Sequence, residues 1–131
     1  MEHKQLKRIL YAEDEGDIRA IAQIALEDIG GFTVEYCTNG RKTLEAAESF
    51  IPDLLLLDVM MPEMDGPTAL RELRKIGAFS AIPAIFMTAK IQSKEIEEYK
   101  SLGAIEVIAK PFDPVTLAQS INNAWDVFHE S

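Results

Sequence analysis

Five side chains in this sequence have types and positions that suit them to joint chemistry: Glu13, Asp14, Asp58, Thr88 and Lys110. Each closes or directly follows a short apolar run. Ile9-Leu10-Tyr11-Ala12 leads into Glu13 and Asp14, Leu54-Leu55-Leu56-Leu57 into Asp58, Ala84-Ile85-Phe86-Met87 into Thr88, and Val107-Ile108-Ala109 into Lys110. Two carboxylates about 4 Å apart repel by about 4 kcal/mol at an effective dielectric near 20, so three in one crevice take up protons or require a cation. The candidate ligand atoms are all hard oxygens with no His or Cys nearby, which favours Mg²⁺, with Mn²⁺ as the alternative, over zinc. A cation on one side of such a cluster, with Lys110 and Thr88 on the other, describes a phosphoryl site. Cation and ammonium offset charge on the transferring oxygens, the hydroxyl donates a hydrogen bond, and a carboxylate can attack phosphorus. Asp58 is the candidate nucleophile, and its product is an acyl phosphate.

These residues need a scaffold that brings distant positions to one edge. Short apolar runs alternate with helix-periodic stretches along the whole chain, the mark of βα units around a parallel sheet. Strands are expected at Arg8 to Ala12, Thr33 to Cys37, Leu54 to Asp58, Ala84 to Thr88 and Glu106 to Ala109. The nearly pure leucine run reads as a strand covered on both faces. Ile18, Ile21, Ala22, Ala25, Leu26 and Ile29 form an apolar stripe of helical period that ends at Gly30-Gly31. Asn39 is placed to cap a second helix running to Phe50, and a third follows Asp65-Gly66-Pro67 and ends near Gly77. The fourth starts around Ser93 and is the most polar. The fifth has Asp113 as N-cap and Pro114 as its first residue, with Leu117, Ile121, Ala124, Trp125 and Phe128 on its core face. Right-handed crossovers make this an α/β fold, an open, doubly wound, five-stranded parallel sheet with five flanking helices. Ligands of such sheets bind outside the carboxyl ends of the strands, where all five residues stand.

Composition narrows the function classes. The 131 residues carry 13 basic and 22 acidic side chains, a net charge of −9, which disfavours phosphate backbones and anionic membrane surfaces as partners. Direct nucleic-acid binding and membrane insertion are therefore not expected; the longest apolar runs fall far short of the roughly 20 residues that span a bilayer. Cys37 is the single cysteine, and no signal-peptide pattern opens the chain, so a reducing cytoplasm is the expected compartment. There is no repeat, low-complexity tract or Gly/Ser/Pro-rich linker. The expectation is one domain over residues 1–131, with its core at about 7–129 and no appended output module.

The segments Ile9-Leu10-Tyr11-Ala12-Glu13-Asp14-Glu15, Asp53 to Gly66, Met87-Thr88-Ala89 and Lys110-Pro111-Phe112 together resemble a response-regulator receiver domain of two-component signalling, of the stand-alone chemotaxis type. The resemblance implies the flavodoxin-like strand order 2-1-3-4-5. It makes Asp58 the phosphoacceptor, with Glu13, Asp14, Asp58 and the backbone carbonyl of Met60 holding Mg²⁺. Thr88 and Lys110 would contact the phosphoryl oxygens, and the Lys110–Pro111 bond would be cis. It implies a histidine kinase or histidine phosphotransfer protein as donor, a downstream target protein as partner, and a shift of Thr88 and the fourth helix as the response. One departure is Val107, where many receivers carry an aromatic residue. The segment Gly103-Ala104-Ile105-Glu106-Val107 also lacks the paired acids common in regulators that dimerise through the fourth and fifth helices, so a monomer or weak dimer is expected.

Two other classes compete. A phosphatase or phosphotransferase turning over through an aspartyl phosphate would usually carry a second Asp two residues after the nucleophile, where this chain has Met60. A flavodoxin-like cofactor carrier must receive a phosphate in its first loop, and Glu13-Asp14-Glu15 would repel one. Taken singly, the acidic residues near residue 15 read as helix-terminal charges, and Asp58, Thr88 and Lys110 as ordinary loop and strand residues; their conjunction carries the functional reading. His3 and His129 lack ligand spacing, Cys37 reads as a small core residue, and Trp125 as core or subsurface.

Overall fold

The leucine run becomes the centre of the sheet. In the computed structural model, which describes residues 4–130, β3 (Leu54–Asp58) is buried along its whole length. It lies between β1 (Arg8–Ala12) and β4 (Ala84–Thr88), with β2 (Thr33–Cys37) and β5 (Ala104–Ala109) at the edges. The order is β2-β1-β3-β4-β5, and every pairing is parallel.

Side chains alternate across the strands and divide the interior into two layers. Ile9, Tyr11, Leu54, Leu56, Ile85 and Met87 face one side, where they pack with Ala22, Ala25, Leu26, Ile121 and Trp125. Leu10, Ala12, Leu55, Leu57, Ala84 and Phe86 face the other, against Ala47, Leu70 and Leu73. Helices α1 (Gly16–Gln23) and α5 (Leu117–Glu130) cover the first layer; α2 (Gly40–Phe50), α3 (Gly66–Arg74) and α4 (Ser93–Ser101) cover the second. Two N-caps read from the sequence are made: Asn39 Oδ1 accepts from the Lys42 N–H and Asp65 Oδ1 from the Thr68 N–H, each at 2.8 Å.

Several boundaries differ from expectation. The first helix opens into a π-helical segment over Ile24–Ile29, where the Gly30 N–H reaches back to the Ala25 carbonyl at 3.1 Å. The wider turn rotates Ile29 outward, to 53% exposure, and Ile21 at the stripe's margin is 47% exposed; Ala22, Ala25 and Leu26 make the core contact instead. Strand β5 begins at Ala104 rather than Glu106, because a register shift opposite Ala84 and Ile85 lets pairing start earlier. Helix α3 ends at Arg74, and a 3-10 turn at Gly77–Phe79 precedes β4. Residues 114–116 form a turn, so α5 starts at Leu117; Asp113 still caps that turn, accepting from the Val115 N–H at 2.9 Å. Phe128 lies at the edge of the α5 core face and is exposed. Helix α4 has no fully buried residue. Among the described residues no helix is long and apolar enough to cross a membrane.

Candidate functional site

The carboxyl ends of β1, β3, β4 and β5 present Glu13 with Asp14, Asp58, Thr88 and Lys110 respectively. Strand order brings these four ends side by side, because β1 and β4 both flank β3. Glu13, Asp58 and Thr88 are buried, whereas Asp14 is exposed at the mouth. One ligand atom each from Glu13, Asp14 and Asp58 falls within 4.8 Å of the others. Lys110 reaches into this cluster, its Nζ donating to Glu13 Oε1 at 2.8 Å and to Asp58 Oδ2 at 3.0 Å. A cleft of about 400 Å³ opens over Asp14, Asp58, Thr88 and Lys110, lined also by Met60, Lys90 and Tyr99 but not by Glu13. A larger groove of about 700 Å³ runs between β5 and α5 and contains none of the five residues.

Electrostatics follow from the geometry. Burial, and then the neighbouring Glu13 charge, push the Asp58 carboxyl up to about 7, against the opposing pull of Lys110. Burial alone would lower the Lys110 ammonium, but its bonds to Glu13 and Asp58 outweigh that and hold it above its ordinary value. The ammonium is the protein's own internal cation for this cluster. It leaves Asp58 Oδ1 and all of Asp14 available to a ligand, while Glu13 Oε2 accepts from the Glu15 N–H at 3.3 Å. Three carboxylates converging with no nitrogen or sulfur donor fit a hard divalent cation.

Local structure holds each group in place. The Glu13 N–H donates to the Cys37 carbonyl at 2.9 Å, and its own carbonyl accepts from the Arg19 guanidinium at 2.7 Å. Behind Asp58, Gly66 packs so closely that a Cβ there would stand 2.4 Å from the Asp58 carbonyl oxygen, and the Gly66 N–H bonds to the Val59 carbonyl at 3.0 Å. The β3–α3 loop is tied to α2 by the Asn39 amide on Glu63 Oε2 at 2.7 Å and the Gly40 N–H on the Met64 carbonyl at 2.9 Å. Thr88 Oγ1 accepts from the Lys90 N–H at 3.1 Å, while the Thr88 carbonyl accepts from the Lys110 N–H at 3.0 Å. The Lys110–Pro111 bond is cis.

Two aromatic residues of the site escaped the sequence reading. Tyr11 is completely buried with its hydroxyl 3.5 Å from Glu13 Oε1. The strand period of two, which sets Tyr11 and Glu13 on the same face of β1, was the available signal. Tyr99 lines the cleft from α4 and packs edge-on to Phe86, ring centroids 5.5 Å apart. Its spacing of three from Ile96 on an otherwise polar helix marks the inward face. The remaining candidates are structural. Cys37 is buried in β2, and the Trp125 indole N–H donates to the Lys4 carbonyl at 2.8 Å from a buried position. His129 meets the Trp125 ring at a tilt and the Phe128 ring edge-on, away from the cleft, and His3 lies outside the described residues.

Comparison with known proteins gives a consistent result. A family model described as the response regulator receiver domain matches residues 9–122. Response regulator Rre1 of Synechocystis is 33% identical over 116 residues, covering 88% of this chain and 50% of that protein. The regulatory protein AtoC of Escherichia coli is 36% identical over 108 residues, 82% of this chain and 23% of that one. The chain thus spans about half the length, or less, of these relatives. Among solved structures, the chemotaxis response regulator CheY4 of Vibrio cholerae superposes with a TM-score of 0.84 at 28% identity, covering 92% of this chain and 99% of that one. The signal receiver domain of a Syntrophus aciditrophicus histidine kinase does so with a TM-score of 0.80 at 29% identity, covering 95% and 94%.

Proposed function

Because the chain belongs to the response-regulator receiver family of two-component signalling, we propose that Asp58 is its phosphoacceptor and that Glu13, Asp14, Asp58 and the Met60 carbonyl hold the Mg²⁺ the reaction uses. The observation that carries this reading is the Lys110 ammonium set between the buried carboxylates of Glu13 and Asp58, beside the open Asp14. The donor is a phosphohistidine on a histidine kinase or histidine phosphotransfer protein. An Asp58 carboxylate oxygen attacks phosphorus, the phosphorus–nitrogen bond breaks, and its electron pair returns to the imidazole ring. The bound cation supplies charge neutralisation for the phosphoryl oxygens. Lys110 keeps a positive charge at the same oxygens, and Thr88 offers its hydroxyl from the neighbouring strand end. Since Asp58 sits at the end of a strand buried on both faces, its position is set by packing before the donor arrives.

The product is a regulatory modification rather than a turnover reaction. The acyl phosphate carries a charge of up to about −2 where the Asp58 carboxylate carried −1, in a cleft bordered by Thr88, Lys90 and Tyr99. Helix α4 is the element most open to repositioning, having no fully buried residue of its own. Its shift with Thr88 governs a downstream protein partner, in a cytoplasmic setting, with the domain acting as a monomer or weak dimer without direct contact to nucleic acid or membrane. Val107 on β5 offers no aromatic ring for that response. Incubation with a small acyl phosphate and Mg²⁺, followed by intact-mass measurement, tests the proposal. One phosphoryl adduct is expected on the wild type and none on Asp58→Asn; an adduct that persists in the variant overturns the assignment.

A further inference from the structure

Glu13 is held by three donors. Its Oε1 accepts from Lys110 Nζ at 2.8 Å and from the Tyr11 hydroxyl at 3.5 Å, and its Oε2 accepts from the Glu15 N–H at 3.3 Å. Lys110 is the donor with which a divalent cation must compete, because both are positive and both seek the same buried oxygens. Tyr11 is neutral and stays. Its ring is completely buried in the layer that includes Ile9, Leu56 and Met87, so the hydroxyl has no route to bulk water and depends on a protein acceptor. The ring is braced edge-on by the Tyr36 ring at a centroid distance of 6.0 Å, a contact that does not involve the Tyr36 hydroxyl. Burial, together with the Glu13 and Asp58 charges, raises the pKa of the Tyr11 phenol far above its ordinary value, so it remains a donor throughout the working pH range.

We propose that Tyr11 is a positioning residue for the cation site: its hydroxyl retains Glu13 Oε1 in the carboxylate cluster when a divalent cation displaces the Lys110 ammonium from that oxygen. The present contact is long because Oε1 is shared with the stronger, charge-assisted donor. Once the ammonium withdraws, a glutamate side chain with three rotatable bonds would otherwise be free to reorient, and a phenol fixed by packing on every side limits it.

The inference rests on the cation reading of Glu13, Asp14 and Asp58, and the test separates the two. Mg²⁺ is titrated into wild type, Tyr11→Phe and Tyr36→Phe and followed by amide NMR shifts. The half-saturating Mg²⁺ concentration is expected to rise about tenfold in Tyr11→Phe, the scale of one lost hydrogen bond to a charged group, and to stay unchanged in Tyr36→Phe. Labelling by an acyl phosphate should show the same split: a higher Mg²⁺ requirement with an unchanged maximal rate. In wild-type protein carrying ¹³C-labelled tyrosine, the Tyr11 Cζ resonance should move on Mg²⁺ saturation and the Tyr36 resonance should not. Wild type that fails to bind Mg²⁺ refutes the cation reading and this role with it. Wild type that binds, with Tyr11→Phe matching it or with a Tyr11 resonance indifferent to Mg²⁺, refutes the role of Tyr11 alone.

Discussion

Replacing Asp58 by Asn should stabilise the Mg²⁺-free protein at mildly alkaline pH, although it removes a partner of Lys110. The Asp58 carboxyl is pushed from an ordinary 3.8 to about 7, so its charged form is disfavoured in the folded state even after the Lys110 contact is counted. The folded protein therefore binds more protons than the unfolded chain between these values. The contribution of this group to stability is full below pH 3.8 and is lost as pH rises through about 7. At 1.36 kcal/mol per pH unit the loss is at most about 4 kcal/mol by pH 8 and roughly half of that at pH 5. Asn resembles the neutral acid and escapes this loss. Urea unfolding of both proteins in chelator-treated buffer at pH 5 and pH 8 measures the gap. It should favour Asp58→Asn at both values and widen at the higher one. Mg²⁺ should then narrow it, because a cation at 100 times its dissociation constant adds about 2.7 kcal/mol to the wild type and less to a variant with one charged ligand fewer. A variant less stable than wild type at pH 8 without Mg²⁺, or a gap of equal size at both pH values, would refute this account of the cluster.

Two further consequences follow from packing. A methyl group at Gly66 would meet the Asp58 carbonyl at 2.4 Å, so Gly66→Ala should cost about 1–3 kcal/mol in urea unfolding and slow acyl-phosphate labelling of Asp58; wild-type labelling and stability would count against the close approach. Burial pushes the Cys37 thiol up to about 11, so alkylation by iodoacetamide at pH 8 should be negligible in the folded protein and prompt in urea, as measured by intact mass; rapid labelling of the folded protein would contradict its placement.

Much of the architecture was legible because its signals are local. Four consecutive leucines admit only a strand buried on both faces or a buried helix, and their short length, ending at Asp58, decides for the strand. Asn39 and Asp65 announce their helices because capping depends on the next three residues alone. The π-helical segment was not legible. Its apolar spacing fits an ordinary α-helix through Ile29, and only the closing bonds of Gly30 to Ala25 and Phe32 to Leu26 select the wider turn. The start of β5 was hidden for a similar reason, since it depends on the register available on β4.

The chemical character of the site was determined by sequence alone: three carboxylates, a hydroxyl and an ammonium at strand ends, with no soft ligand among them. Residue type sets what each group can donate, accept or carry, and no fold changes that. How the groups divide the work was decided by tertiary structure. Lys110 bridges Glu13, 97 positions away, and Asp58, 52 positions away. Asp14 stays open while Glu13 beside it is sealed in, because the chain bends at Asp14, past the end of β1, whereas the Glu13 N–H still bonds to the Cys37 carbonyl of the neighbouring strand. That bond keeps Glu13 next to the sheet, within reach of the Tyr11 hydroxyl. Burial, distance and the shared ammonium then fix the charge on Asp58, and these belong to the assembled sheet rather than to any single segment.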